Sequence, residues 1–150
     1  MALFRQTAHR QIHLHEYPFS SELGMEAYIV DNPTMLIADS FDGPTVFEIR
    51  EAPKILGWEI SLCEGMRIDI LAEITPMDDP EHRYLAVVEL KKGVVDDDAQ
   101  KQLHGYLNEF NKPDRRKEIL SKVKDLGDPD RYKDHRLLGI LVGREVEEKL

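Results

Sequence analysis

Apolar and polar positions follow one another along the chain in patterns that divide it into short elements. Residues 20–33, SSELGMEAYIVDNP, carry a helical stripe at Leu23, Ala27 and Val30. Ser20 or Ser21 is placed to cap this helix, and Asn32-Pro33 to stop it. Two short strands are expected at 45–50 (TVFEIR) and 57–62 (GWEISL), set apart by Gly43-Pro44 and Pro53. MRIDILAEI (66–74) and RYLAVVELK (83–91) are rich in apolar and β-branched residues, and the acidic, proline-containing spacer between them reads as a loop. The simplest arrangement is an antiparallel hairpin centred near residue 79.

After Gly93-Val94-Val95, residues 96–110 predict a helix with Ala99, Leu103, Leu107 and Phe110 on its apolar face. Asp96, Asp97 and Asp98 suit its positively polarised start. A polar helix over 114–126 follows, then a Gly-Asp-Pro-Asp turn and an apolar strand, LLGILVG, at 137–143. This order predicts an α/β or α+β domain, a mixed central sheet flanked by helices. Residues 1–19 form an arm that the pattern does not place; 20–150 make the domain. His9, His13 and His15 in the arm stand at metal-ligand spacing without a defined structure to hold them.

Composition narrows the class. The 150 residues suffice for one packed core, and 41% hydrophobic residues are ordinary for a globular protein. No run approaches the roughly 18 consecutive apolar residues of a membrane span. The start of the chain lacks a signal-peptide core, and the lone Cys63 has no partner for a disulfide. A cytoplasmic setting without membrane contact is the expectation. The net charge of −9 excludes coating of nucleic acid by charge alone. The charge is uneven: residues 1–90 hold 6 Lys and Arg against 16 Asp and Glu, and residues 91–150 hold 14 against 13. A phosphate-facing surface should draw on Lys91, Lys92, Lys101, Arg115, Arg116 and Lys117.

The candidate chemistry lies in the hairpin. Alternation puts Leu85, Val87, Glu89 and Lys91 on one face of a largely buried strand. Charges in such a position are costly unless paired or bound to a metal. Asp69 interrupts the aliphatic run of the neighbouring strand and falls opposite Glu89 within a residue. Adjacent carboxylates repel each other, whereas a divalent cation such as Mg²⁺ needs one or two of them. Lys91 adds a positive charge beside them. Gln102 and Tyr106, four residues apart, project from one face of the following helix next to Leu103 and Leu107.

These motifs resemble, in order, those of the PD-(D/E)xK nuclease superfamily. The catalytic domain of NucS/EndoMS-type DNA endonucleases is the nearest likeness. Met25-Glu26-Ala27-Tyr28-Ile29-Val30-Asp31-Asn32-Pro33 is similar to its "LExxIxxNP" helix, and Gly65–Leu71 to "GxRIDIL". Val87–Lys91 is similar to "VVELK", and Asp98 through Tyr106 to "DAxxQLxxY". The resemblance spans residues 20–142 and implies a restriction-endonuclease-like core. It further implies Mg²⁺- or Mn²⁺-dependent hydrolysis of DNA to 5′-phosphate and 3′-hydroxyl ends, in repair or defence. Asp69 and Glu89 would hold the metal, and Lys91 would act on the attacking water. Glu26 would reach the metal through water, and Gln102 and Tyr106 would hold the lysine or the DNA backbone. Lys92, Lys101 and Arg67 are the expected nucleic-acid contacts. NucS-type enzymes also carry a separate N-terminal DNA-binding domain, for which the arm before residue 20 is too short. Recognition would then fall to a homodimer or a separate partner. Two other readings stay open. One is a nuclease fold kept as a non-catalytic module binding nucleic acid or protein; the other is an unrelated α+β protein.

Overall fold

A computed structural model describes residues 7–13, 22–37, 49–63, 65–77 and 79–146. Its elements in order are β1 (Thr7–His13), α1 (Glu22–Asp31), a 3₁₀ turn (Pro33–Ile37), β2 (Lys54–Cys63), β3 (Met66–Ile74) and β4 (Tyr84–Val95). Then come α2 (Asp97–Phe110), α3 (Pro113–Ser121), a second 3₁₀ turn (Pro129–Tyr132) and β5 (Arg136–Val146). The sheet has the order β1-β5-β4-β3-β2. β2–β3 and β3–β4 are antiparallel; β4–β5 and β1–β5 are parallel. The mixed sheet flanked by helices is therefore as expected.

Alternation along the central strands builds two cores. Leu85 and Val87 of β4 pack with α2 and α3 on one face. Ala86, Val88 and Leu90 pack with Ile29 of α1 and with Leu36 on the other. β4 and β5 are parallel, so the chain must cross over between them, and α2 and α3 form that crossover. Asp96 starts α2 by accepting the Ala99 N–H at 2.9 Å. Gly139 of β5 lies directly beneath α2: a Cβ there would stand 2.9 Å from both Leu103 Cδ2 and Leu107 Cδ1. The helix carrying Gln102 and Tyr106 is seated closely because residue 139 has no side chain.

Several elements depart from the pattern. β4 runs on to Val95 where a connector was expected, because Val94 and Val95 resume pairing with Glu145 and Val146 after a bulge. The strand expected at 57–62 begins at Lys54, and that at 137–143 extends from Arg136 to Val146. α3 stops at Ser121 rather than 126, and the backbone then turns through positive φ at Asp125 and Gly127. Of the strand expected at 45–50, residues 45–48 lie outside the described residues, and Ile49 makes a single bridge to Pro76. The candidate caps Ser20 and Ser21 lie outside them too. The inward face of α1 only partly follows its apolar stripe: Val30 packs against the core, but Glu26 and Ile29 are the buried residues and Ala27 is exposed. Part of the unplaced arm is β1, which pairs with β5 from Thr7↔Leu137 to His13↔Gly143. It carries His9 and His13, whose side chains, like His15, lie outside the described residues.

Two basic residues assigned to a phosphate-facing surface are structural instead. Arg116 is buried, and its guanidinium donates to the carbonyls of Phe110, Tyr132, Lys133 and His135 at 2.8–3.0 Å. It fastens α3 to the approach to β5. Arg115 pairs with Glu109 and Glu118 and donates to Leu62 O. At the end of β3 remote from Asp69, buried Glu73 receives His135 Nε2 at 2.7 Å and lies 3.6 Å from Arg83. Hydrogen bonding to His135 holds the Glu73 carboxyl below the ordinary glutamate range, with burial opposing. No helix among the described residues is long and apolar enough to cross a membrane.

Candidate active site

The β3–β4 ladder runs from Ile74↔Tyr84 to Ile70↔Val88 and ends there. One further step in that register brings Asp69 opposite Glu89. In place of that backbone pair, Asp69 Oδ2 accepts the N–H of Leu90 at 2.8 Å. Beyond this point β3 stays paired with β2 (Ile68↔Ile60, Arg67↔Ser61), and β4 stays paired with β5 (Glu89↔Leu141, Lys91↔Gly143). The two strands thus part company, and Asp69 and Glu89 mark the point of the fork. The side-chain hydrogen bond satisfies an amide that the fork would leave without a ladder partner.

Glu89 is only 5% exposed. Its Oε2 is buried and accepts no hydrogen bond from a described residue, although the side chain has other interactions. Lys91, half-buried, follows two positions along β4 and so shares the Glu89 face. It makes no ion pair with a described residue. β5 presents Gly143 beside it, without a side chain to crowd the lysine.

α2 supplies the next layer. Tyr106 is almost wholly buried, and Gln102 Nε2 donates to its hydroxyl at 2.7 Å. Burial pushes the Tyr106 phenol up, and the negative charges of Glu89 and Asp69 add to this. Hydrogen bonds with the Arg67 backbone and with Gln102 work the other way. The hydroxyl is therefore within electrostatic reach of both carboxylates while tying α2 to β3. Gln102 and Tyr106, which the resemblance assigns to holding the lysine or the DNA backbone, are bonded to each other, and Tyr106 also to the Arg67 backbone.

Glu26 approaches from α1. It is 8% exposed, an unusual burial for a glutamate. Its carboxyl is pushed above the ordinary range, first by burial, then by the charges of Glu59 and Asp69, with Arg67 opposing. Four elements, α1, β3, β4 and α2, thus bring Glu26, Asp69, Glu89 and Tyr106 into one electrostatic neighbourhood.

Glu59 is a residue that sequence reasoning did not select. The pairs Trp58↔Ile70 and Ile60↔Ile68 bracket it, which sets it across from Asp69. Its backbone has φ 51°, in the left-handed region, and this interrupts the ladder. Its carboxylate pairs with Arg67 at 3.5 Å. The signal was present, an acid inside the apolar strand GWEISL, but its meaning depends on a register that only the fold supplies. Of the proposed nucleic-acid contacts, Arg67 is thus engaged with Glu59, and Lys101 is exposed and paired with Asp97 at 3.0 Å. The side chain of Lys92 lies outside the described residues, as does that of Cys63 at the end of β2.

No group of three or more His, Cys, Asp or Glu side chains is placed to hold a metal among the described residues. The carboxylates that could serve as donors are a sparse set: Asp69 and Glu89 at the fork, with Glu26 of α1 in electrostatic reach of Asp69. That set fits Mg²⁺, which keeps several waters and completes its shell with phosphate oxygens, better than it fits zinc. Compared with protein-family models, curated proteins and solved structures, the chain matches none of them.

Proposed function

We propose that the chain is a restriction-endonuclease-like, Mg²⁺- or Mn²⁺-dependent deoxyribonuclease, similar in its site to the PD-(D/E)xK enzymes. The observation that carries the reading is the fork between β3 and β4, which sets Asp69 beside Glu89 and leaves Lys91 on the same face. Two carboxylates so placed raise the energy of the metal-free fold, and a cation between them removes that cost.

Asp69 and Glu89 would hold the cation, with Glu26 contributing through water. When bound, the metal polarises the phosphate and makes water more acidic. Lys91 orients the attacking water and offsets the negative charge that grows on the phosphoryl oxygens. The water oxygen attacks phosphorus as its proton passes to bulk solvent, the P–O3′ bond breaks, and the departing O3′ takes a proton from a solvent water, giving 5′-phosphate and 3′-hydroxyl ends. Tyr106 and Gln102 fix the position of β3 against α2 and so the spacing of the fork.

Plasmid, flap and single-stranded substrates incubated with Mn²⁺ should be cut, and Lys91→Ala should lower the rate at least about 100-fold with an unchanged melting temperature. Equal rates in wild type and Lys91→Ala overturn the catalytic reading. The net charge of −9 favours a second reading, a nuclease fold retained as an interaction module. In that case Mn²⁺ titration calorimetry gives no heat that depends on Asp69.

A further inference from the structure

Beside the fork, Arg67 Nη1 of β3 lies 3.5 Å from Glu59 Oε1 of β2. The contact is loose, and the two side chains are 59% and 42% exposed. An exposed ion pair of this kind contributes little to stability. Holding a glutamate there is nevertheless costly in two ways. Its backbone has φ 51°, where a side chain strains the chain, and Asp125 is the one other non-glycine residue of positive φ among those described. Its charge also falls among others of the same sign: the register sets it across from Asp69, and both acids act on the buried Glu26. A half-exposed ion pair does not offset these costs, so stability does not account for Glu59.

Arg67 is the group that Glu59 restrains. It stands two residues before Asp69 on β3, and its charge reaches Glu26. Its backbone is tied to the Tyr106 hydroxyl, which fixes the root of the side chain while the guanidinium stays exposed. A guanidinium can grip a phosphate through two parallel N–H bonds, a stronger contact than a loose carboxylate at 3.5 Å. β2 is an edge strand, so the pair opens on solvent and an incoming phosphodiester can reach it. A carboxylate already seated on the guanidinium is a resident competitor for that phosphate.

We propose that Glu59 is a latch on Arg67: it occupies the guanidinium in the resting protein and yields it to a phosphate of bound DNA. Glu59 thereby sets how firmly a strand must be held before Arg67 engages it beside the fork, and weakly held strands are released. Glu59 acts through Arg67 and is a positioning residue. The DNA contact rests on the nuclease reading above, whereas the exchange itself is measured without metal or cutting.

Glu59→Gln keeps the length of the side chain and removes its charge. The full-length protein in EDTA, where metal-assisted cutting is absent, is titrated against a labelled flap DNA and followed by anisotropy. Glu59→Gln should tighten binding about two- to fivefold, the range that loss of an exposed ion pair spans. The gain should vanish in the Arg67→Ala background, where the latch has nothing to hold. Glu59→Gly, which also relieves the positive φ, should bind as Glu59→Gln does. Both substituted side chains are exposed, and Arg67→Ala retains the backbone that meets Tyr106. Thermal melts verify that the variants fold. Equal or weaker binding by Glu59→Gln, or no binding by any of these proteins, overturns the proposal. So does a gain that persists in the Arg67→Ala background, which assigns it to net charge alone. Calorimetry without DNA tests the other use of an acid at this place: a Mn²⁺ heat lost in Glu59→Gln makes Glu59 a metal ligand and overturns the latch. An Arg67-dependent gain without any Mn²⁺-dependent cutting supports the latch and removes the catalytic reading. Cutting with the same KM in wild type and Glu59→Gln overturns the latch and leaves the catalytic reading in place.

Discussion

Glu26→Gln should make the metal-free protein more stable and the metal-loaded protein less so. The buried Glu26 carboxylate is raised in energy by desolvation and by the charges of Glu59 and Asp69, only partly offset by Arg67. Gln keeps the shape of the side chain and removes its charge. Relief of strain of this kind at functional sites is typically worth about 0.5–2 kcal/mol. At about 2–4 °C per kcal/mol for a chain of this size, that is a rise of about 1–8 °C in melting temperature. The pH dependence gives a sharper test. A carboxyl raised in the folded state holds its proton where the unfolded chain has lost it, so wild type loses stability as pH rises from the ordinary glutamate value through the raised one. Gln lacks that loss. The two proteins should melt together in acid, and the variant should pull ahead toward pH 7. Excess Mn²⁺ should reverse the order by stabilising wild type more. Scanning calorimetry at several pH values, with and without Mn²⁺, measures all three. A constant gap from acid to neutral pH, or a variant less stable throughout, refutes the electrostatic account of Glu26.

Two further outcomes follow from the packing. Gly139→Ala puts a methyl 2.9 Å from two leucine methyls, against a normal carbon separation of about 3.5–4.0 Å. Overpacking of about 1–3 kcal/mol should exceed the roughly 0.4–1 kcal/mol gained from a stiffer unfolded chain. Urea unfolding should therefore show a net loss of stability, and any cutting should fall because α2 carries Tyr106. Glu73, with its carboxyl held low chiefly by His135, contributes stability above the ordinary glutamate value of about 4.3 and loses it as pH falls through its lowered value. Glu73→Gln should thus cost most at neutral pH and least in strong acid, as followed by urea midpoints across that range.

The level placement of Asp69 and Glu89 was legible because it depends on short-range patterns. Period-two alternation fixed the faces of β3 and β4, and the loop between them fixed a hairpin centre that brings Asp69 and Glu89 level. Features that depend on tertiary register were not legible. Glu59 gains its meaning only when β2 is laid against β3. Arg116 looks like one more surface cation in a polar helix until four carbonyls converge on it. The inward face of α1 is only partly legible, because its most informative inward residue is a glutamate, which no hydrophobic pattern selects. The arm was left unplaced because β1 is a short edge strand containing His, Arg and Gln, and its apolar signal is correspondingly weak.

The most direct measurement is a crystal of the protein soaked in Mn²⁺ and recorded at a wavelength where manganese scatters anomalously. The account calls for a peak at the β3–β4 fork, within ligating distance of an oxygen from both Asp69 and Glu89, and for its loss in Asp69→Ala. A saturated soak that leaves the fork empty, or places the ion elsewhere, contradicts it.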